Sequence, residues 1–281
     1  MKLYGLDFTS SPSKRKPITC AACTLEVGRL ELSHVTGFAS FAAFEAFLTT
    51  EGSWLAGIDT PLGQPRKLIE NLGLPQSWSG YVAHFGAMDK NEFVATLDNY
   101  RAERPAGDKE HRRYVDKLAR AISPMKLYGV PVGKMFFELA PRLLGTNLNL
   151  PLLRPTLDTR TVLETYPALV ARRFIGRQSY KSDTPSKQTA EHREARAHIV
   201  RGLLSDTTAE HYGVRVNLTE DQQQELVKDP KGDVLDAFLC ALQAAWASTQ
   251  PHYGIPEDAD ELEGWIADPI VEERRKNEKE R

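Results

Sequence analysis

Cysteine is scarce in this sequence, 3 among 281 residues. Cys20 and Cys23 form a C-x-x-C, but no second Cys or His pair follows at zinc-site spacing, which argues against a zinc centre. The surrounding ITCAACTLEV alternates as a strand and directs residues three apart to opposite faces, so two buried, reduced thiols are expected. Long apolar runs are missing too. No charge-free segment approaches the roughly 20 residues that span a bilayer, and MKLYGLDF lacks an apolar core of signal-peptide length, so a cytoplasmic protein with no membrane association is expected. An excess of one charge is also lacking. With 36 Lys+Arg against 38 Asp+Glu and a formal net charge of -2, any basic surface must be local. Internal repeats are absent: MKLYG occurs at Met1 and Met125, but LDFTSS and VPVGKM, which follow, do not correspond.

What is present is a hydrophobic fraction of 41%, enough for one large domain or one domain with a sizeable insertion. MKLYGLDFT is β-rich, SSPSKRKP reads as a solvated turn, and ITCAACTLEV and RLELSHVTGF read as a hairpin joined across Val27-Gly28-Arg29. Ser40 is placed as the N-cap of a helix in SFAAFEAFLTT. WLAGIDTPLG then reads as a buried parallel strand, and a right-handed crossover lays it beside the first strand with their C-terminal ends together. From about residue 64 to 160 the pattern is helical pieces broken by Pro and Gly, an inserted region. TVLETYPALVARRF restores a strand feeding a helix after Pro167, and SKQTAEHREARAHIVRGLL is a charged amphipathic helix. GDVLDAFLCALQAA closes the domain, with a core-facing stripe of Leu235, Phe238, Leu239, Leu242 and Trp246. The expected fold is α/β: a mixed five-stranded sheet, three antiparallel strands then two parallel ones, with helices on both faces. One domain covers 1–250 with the insert at about 64–160, and 251–281 is expected to be a polar C-terminal tail ending in the frayed run EERRKNEKER.

Each of these segments leaves an acid near a strand end or helix mouth: Asp7, Asp59, Glu164 and the pair Asp233 and Asp236. Adjacent parallel strands bring Asp7 and Asp59 to one edge, and a helix packed across the sheet delivers its first-turn carboxylates there. Taken singly, each acid has a structural reading. Asp233 is an N-cap and, with Asp236, complements the helix dipole for about 1 kcal/mol; Asp7 initiates a turn with Thr9, Asp59 precedes a tight Pro61 turn, and Glu164 pairs with an arginine. Taken jointly, like charges at one edge are costly unless protons or a cation neutralise them, and hard divalent cations such as Mg²⁺ or Mn²⁺ take all-oxygen clusters.

The order of GLDFT, IDTPLG, ETYP and DVLDAFLCAL resembles the ribonuclease-H-like fold, and specifically the predicted-nuclease family known as domain-of-unknown-function family 429. The resemblance covers most of the chain outside the insert and the tail. The D-x-x-D-A opening of the last helix is also similar to that of RuvC-type Holliday-junction resolvases, where such a pair supplies metal ligands. The resemblance implies that Asp7 is the first-strand aspartate bridging two metal ions, that Asp59 is the acid of the fourth strand, and that Asp236, with Asp233 beside it, is the final-helix acid. Glu164 matches the glutamate of the fifth-strand motif. The first helix offers Glu45 but no clear counterpart of the glutamate that ribonucleases H carry there, which argues against an RNA/DNA-hybrid ribonuclease.

A metal-dependent nuclease is therefore expected, hydrolysing phosphodiesters of DNA or RNA by a two-metal mechanism with Asp7, Asp59, Asp236 and Glu164 as catalytic residues. Asp7, Asp59, Asp233 and Asp236 are the expected metal ligands. Between Arg172 and Arg201 basic residues outnumber acidic ones, with Phe174 and Tyr180 interleaved, and Lys181 and Arg177 are the candidates for substrate phosphate. Two other readings stand beside this one. A non-catalytic scaffold could bind nucleic acid or protein through the helical insert, with the acids in caps and salt bridges. An actin-like or sugar-kinase-type phosphotransferase could use Asp7-Phe8-Thr9-Ser10-Ser11 as a phosphate hairpin, but that fold needs a second such domain and a second Gly-rich loop, and the sequence has neither.

Overall fold

The computed structural model describes residues 1–280. β1 (Lys2–Asp7), β2 (Ile18–Glu26) and β3 (Arg29–Phe38) form the antiparallel meander. The β2–β3 turn is Val27-Gly28, with φ of 47° and 73°; positive φ at both central residues is what the primed hairpin turns require. Ser40 caps α1 (Phe41–Leu48), its Oγ accepting from the Ala43 amide at 3.2 Å. β4 (Trp54–Asp59) then pairs parallel to β1 with Gly5 opposite Gly57. Five helices follow in the expected helical region: α2 (Arg66–Asn71), α3 (Trp78–Gly86), α4 (Lys90–Ala102), α5 (Tyr114–Ala119) and α6 (Val132–Leu144). β5 (Arg160–Thr165) pairs parallel to β4 and runs into α7 (Pro167–Ile175). The chain continues through α8 (Ala190–Leu203), α9 (Asp206–Tyr212), β6 (Arg215–Asn217) and α10 (Glu220–Lys228). It ends in α11 (Asp233–Ser248) and α12 (Pro269–Lys279).

The sheet has six strands, in the order β5-β4-β1-β2-β3-β6, not five. The additional strand pairs parallel with β3 through Arg215, Val216 and Asn217. Three residues are too few to display a period of two, which is why this strand leaves no trace in the sequence pattern.

Strand parity divides the core into two layers. Leu6 of β1, Trp54, Ala56 and Ile58 of β4 and Val162 of β5 face α1 and the helical insert, where Tyr81, Phe85, Phe93 and Phe136 are fully buried. Leu3, Leu55 and Leu163 face the other way, toward α7, α8 and α11. The insert is thus the cover of one sheet face rather than an appendage. Cys20 and Cys23 fall in opposite layers, both buried and free, and burial pushes the Cys20 thiol up to about 12.

Among the described residues, the segment 251–280 is packed against the domain rather than free as a polar tail. Trp265, Ile266, Ala267 and Val271 are buried, the Ala267 amide donates to the Glu164 carbonyl at 2.9 Å, and the Asp268 carboxylate caps α12 at the Ile270 amide and accepts from Gln243 at 2.6 Å. The polar residues of that stretch form the solvent side of a packed segment, and its few apolar residues are the ones that seat it. Among the described residues no helix is long and apolar enough to cross a membrane.

Candidate metal centre

Two features of the backbone bring the acids together. Asp7 follows Leu3 and Gly5 on one face of β1, and Asp59 follows Leu55 and Gly57 on the same face of β4. The period of two therefore aims both carboxylates into the layer that holds α11. α11 lies directly on those glycines. A Cβ built on Gly5 would stand 1.9 Å from the Ala237 carbonyl oxygen and 2.3 Å from the Ala241 nitrogen, and one on Gly57 would stand 2.6 Å from the Cys240 carbonyl oxygen. The surface seated on the sheet is thus Ala237, Cys240 and Ala241, not the expected leucine stripe. α11 is buried between the sheet and α7, α9 and α10, as an apolar helix in a large domain is. This close seat carries the first turn of α11 to the C-terminal ends of β1 and β4.

There, one carboxylate oxygen each from Asp7, Asp59 and Asp236 lies within 4.8 Å of the others. Asp236 is fully buried and held: the Tyr180 hydroxyl donates to its Oδ1 at 2.6 Å and Lys181 Nζ forms an ion pair with its Oδ2. The Asp7 and Asp59 carboxylates have no hydrogen-bond donor among the described residues, and both border an open cavity. Burial, opposed by Lys181 and reinforced by Asp236, Asp233 and Asp59, holds Asp7 well above the usual carboxylate range. Burial followed by the charge of Asp236 pushes Asp59 up to about 7. Burial would lower Lys181, but Asp236 first, then Tyr180 and Asp7, raise it well above the ordinary lysine value, so it stays cationic. Three carboxylates against one ammonium leave an excess of negative charge that protons or a cation must balance.

A family model described as "Protein of unknown function (DUF429)" matches residues 5–261, which includes all three acids. The chain belongs to the DUF429 family. Comparison with curated proteins gives no match, and comparison with solved structures gives none.

In this DUF429 chain the remaining expected site residues are placed differently. Glu164 is not in the cluster. It pairs in register with Ile58, one residue before the Asp59–Thr165 pair, so its side chain leaves the opposite face of the sheet. There both its oxygens bind Arg113, at 2.5 and 2.8 Å, and Oε2 also accepts from the Leu62 amide at 2.9 Å; Arg113 in turn holds Asp116. Arg113 and Glu164 are 1% and 4% exposed. The arginine reading is the one the geometry supports, and it ties the helical insert to the sheet edge. Glu164→Gln is accordingly expected to cost about 3 kcal/mol by leaving part of a buried cation uncompensated. Denaturant unfolding checks the loss, and Mn²⁺ affinity of the folded variant should stay within a factor of two; a larger change would place Glu164 in the site.

Asp233 is buried but stands outside the three-carboxylate cluster. It is not the N-cap either: Gly232 occupies that position at φ 75°, and Asp229 accepts from the Lys231 and Val234 amides at the helix mouth. Burial, then Asp229, raises the Asp233 carboxyl. Of the basic stretch, Arg177 is exposed, whereas Arg173 pairs with Glu273 and the buried Arg196 donates to the Val227 and Tyr180 carbonyls. Those two arginines are structural. Arg196 belongs to the basic stretch read as a phosphate track, but its 2.6 Å bond to the Tyr180 carbonyl instead fixes the segment that presents Tyr180 and Lys181 to Asp236. Tyr180 itself, read only as an interleaved aromatic, is the hydroxyl that orients Asp236.

Proposed function

We propose that this protein is a divalent-cation-dependent phosphodiester hydrolase of the ribonuclease-H-like superfamily acting on nucleic acid, with Asp7, Asp59 and Asp236 as ligands of Mg²⁺ or Mn²⁺. The observation that carries the reading is the convergence of three carboxylates at the ends of two adjacent parallel strands and a helix seated on them. The strand pattern β3-β2-β1-β4-β5, with β2 alone reversed, supports the superfamily reading, β6 being an addition at one edge.

The donor set suits a hard cation: it is all oxygen, and two of its three carboxylates lack a protein donor. A divalent cation held by Asp7, Asp59 and Asp236 would supply Lewis acidity toward a phosphoryl oxygen and would lower the pKa of a water. The protein's own part is orientation. Tyr180 and Lys181 fix Asp236, and Asp7 and Asp59 are fixed by the strands that carry them. Lys181 is one-third exposed and lines the cavity beside Asp7, which supports a role for it in neutralising a phosphate oxygen as well as holding Asp236.

The Lys181–Asp236 pair also favours a second reading, a non-catalytic scaffold in which this ammonium is the permanent counter-ion of the cluster. Mn²⁺ titration separates the two. Because Asp59 is pushed up to about 7 and Asp7 is raised, a cation must displace protons at low pH and meets free carboxylates at high pH. Mn²⁺ affinity is therefore expected to rise with pH up to at least about 7, by about tenfold per pH unit for each proton displaced. Calorimetry in buffers of different ionisation enthalpy reads the released protons. The scaffold reading holds if Mn²⁺ neither binds nor stabilises at any pH and no DNA or RNA form is cleaved.

A further inference from the structure

Two cavities flank the three carboxylates. One, of about 400 Å³, carries many charges: Lys16, Lys181 and Lys231 stand in it against Asp7, Asp59, Asp183 and Asp233, beside Thr9 and Ser10. Three lysines and four aspartates make it unfavourable for a phosphate until a divalent cation is added. The other, of about 320 Å³, lies between the α5–α6 connection and the start of α7, and its walls are mainly apolar: Ile122, Val130, Val132, Met135, Tyr166 and Pro167. Its buried charges Arg113, Asp116 and Glu164 are consumed by one another. Asp59 and Lys181 line both cavities, so the two meet at the metal centre, and Val130 and Met135 stand between them.

The surface near the apolar cavity is unusual for this molecule. Ile122, Tyr128 and Val130, 40%, 62% and 60% exposed, lie within nine residues of one connection, while most other large exposed apolar side chains are single and scattered. Such a patch at the mouth of a pocket marks a binding surface.

We infer that the apolar cavity seats one unpaired nucleobase of the nucleotide whose phosphate lies at the three carboxylates, so that the substrate is single-stranded or has a base turned out of its stack. This rests on the hydrolase reading for the position of the phosphate. Three observations select a base. The floor of the cavity includes Asp59 and Asp236, so its occupant is joined to the phosphate at the metal centre. Arg113 is fully engaged by Asp116 and Glu164 and Lys181 by Asp236, which leaves Lys126, 4.9 Å over the Tyr128 ring, as the one ammonium without a carboxylate among the described residues of a lining that is otherwise mainly apolar. The volume is at the lower end of the small-ligand range, room for a base and its sugar but not for a base pair. A paired base cannot leave its stack without unpairing, whereas an unpaired base has a π-face for the Tyr166 ring and the aliphatic walls.

The test is binding of thymidine 5′-monophosphate against 2-deoxyribose 5-phosphate, by calorimetry with Mn²⁺ and with EDTA, in the parent, Ala168→Phe and Ile122→Asp. Ala168 borders the cavity and phenylalanine fills it; Ile122 lines only the apolar cavity and is exposed enough that its replacement leaves folding intact. The parent is expected to bind the nucleotide at least tenfold more tightly than the sugar phosphate, and each folded variant to bring the ratio near one with Mn²⁺ affinity within twofold. Cleavage of a single-stranded oligonucleotide should exceed that of its duplex at least tenfold. Equal binding of the two phosphates by the parent, or an undiminished ratio in Ile122→Asp, overturns the proposal. Base discrimination that persists where Mn²⁺ does not bind keeps the pocket and removes the hydrolase reading. Mn²⁺-dependent cleavage without base discrimination does the reverse.

Discussion

Asp7→Asn is expected to lower metal-dependent hydrolysis roughly a thousandfold, a loss of about 4 kcal/mol of transition-state stabilisation, while leaving the metal-free protein at least as stable as the parent. Asparagine keeps the shape at the end of β1 but removes the charge a cation needs. Asp59→Asn should behave likewise, and its pH dependence has a defined sign. Asp59 is pushed from about 3.8 to about 7 on folding, so between those values the folded protein holds a proton that the unfolded chain has released. Stability of the parent therefore falls as pH rises through that window and is flat above it. The variant escapes the fall. At pH 8 without metal it should be more stable on the order of 2 kcal/mol, discounted for partial solvent access, and at pH 5 the gain should be smaller. With saturating Mn²⁺ the order reverses, because only the parent gains binding energy. Thermal melts at both pH values, with and without Mn²⁺, read all four states. An Asn variant that melts well below the metal-free parent at pH 8 would make the carboxylates structural.

The parts of this site that could be read from sequence are those governed by a short period. Asp7 and Asp59 each end a strand whose alternation is visible, and the crossover rule sets those strands side by side. Asp236 was legible because α11 is long and apolar. Proximity to a strand end does not bring Glu164 to the site, because parity decides the face: Thr165, not Glu164, shares the register of Asp59. The sixth strand and the seating of Trp265 to Val271 were hidden for another reason. Both depend on pairing with distant partners, β3 and the end of β5, and carry too few residues to show a pattern. The basic stretch misled in the same way, since only tertiary structure separates Arg196, which holds the Tyr180 backbone, from an exposed residue such as Arg177.

Gly5→Ala is expected to be the most damaging single-methyl change in the chain. Its Cβ would stand 1.9 Å from one backbone atom of α11 and 2.3 Å from another, and no side chain can be trimmed to relieve a contact with backbone. Either β1 bends within a sheet that pairs it on both sides, or α11 lifts from β1 and β4. Both break close packing along a fully buried helix, and a loss of at least about 3 kcal/mol follows, the upper part of the range for overpacking. Gly57→Ala, 2.6 Å from the Cys240 carbonyl, should show a weaker form of the same effect. Gly28→Ala is the contrasting control: nothing lies within 4 Å, and φ of 73° alone should cost about 1 kcal/mol. Since the same seat positions Asp236, any folded Gly5→Ala protein should also bind Mn²⁺ at least tenfold more weakly, although no ligand has been touched. Chemical denaturation and Mn²⁺ titration on the three variants measure both effects. If Gly5→Ala unfolds within about 1 kcal/mol of the parent and binds Mn²⁺ equally well, then α11 does not rest on β1, and the helix cannot be what delivers Asp236 to the two strand ends.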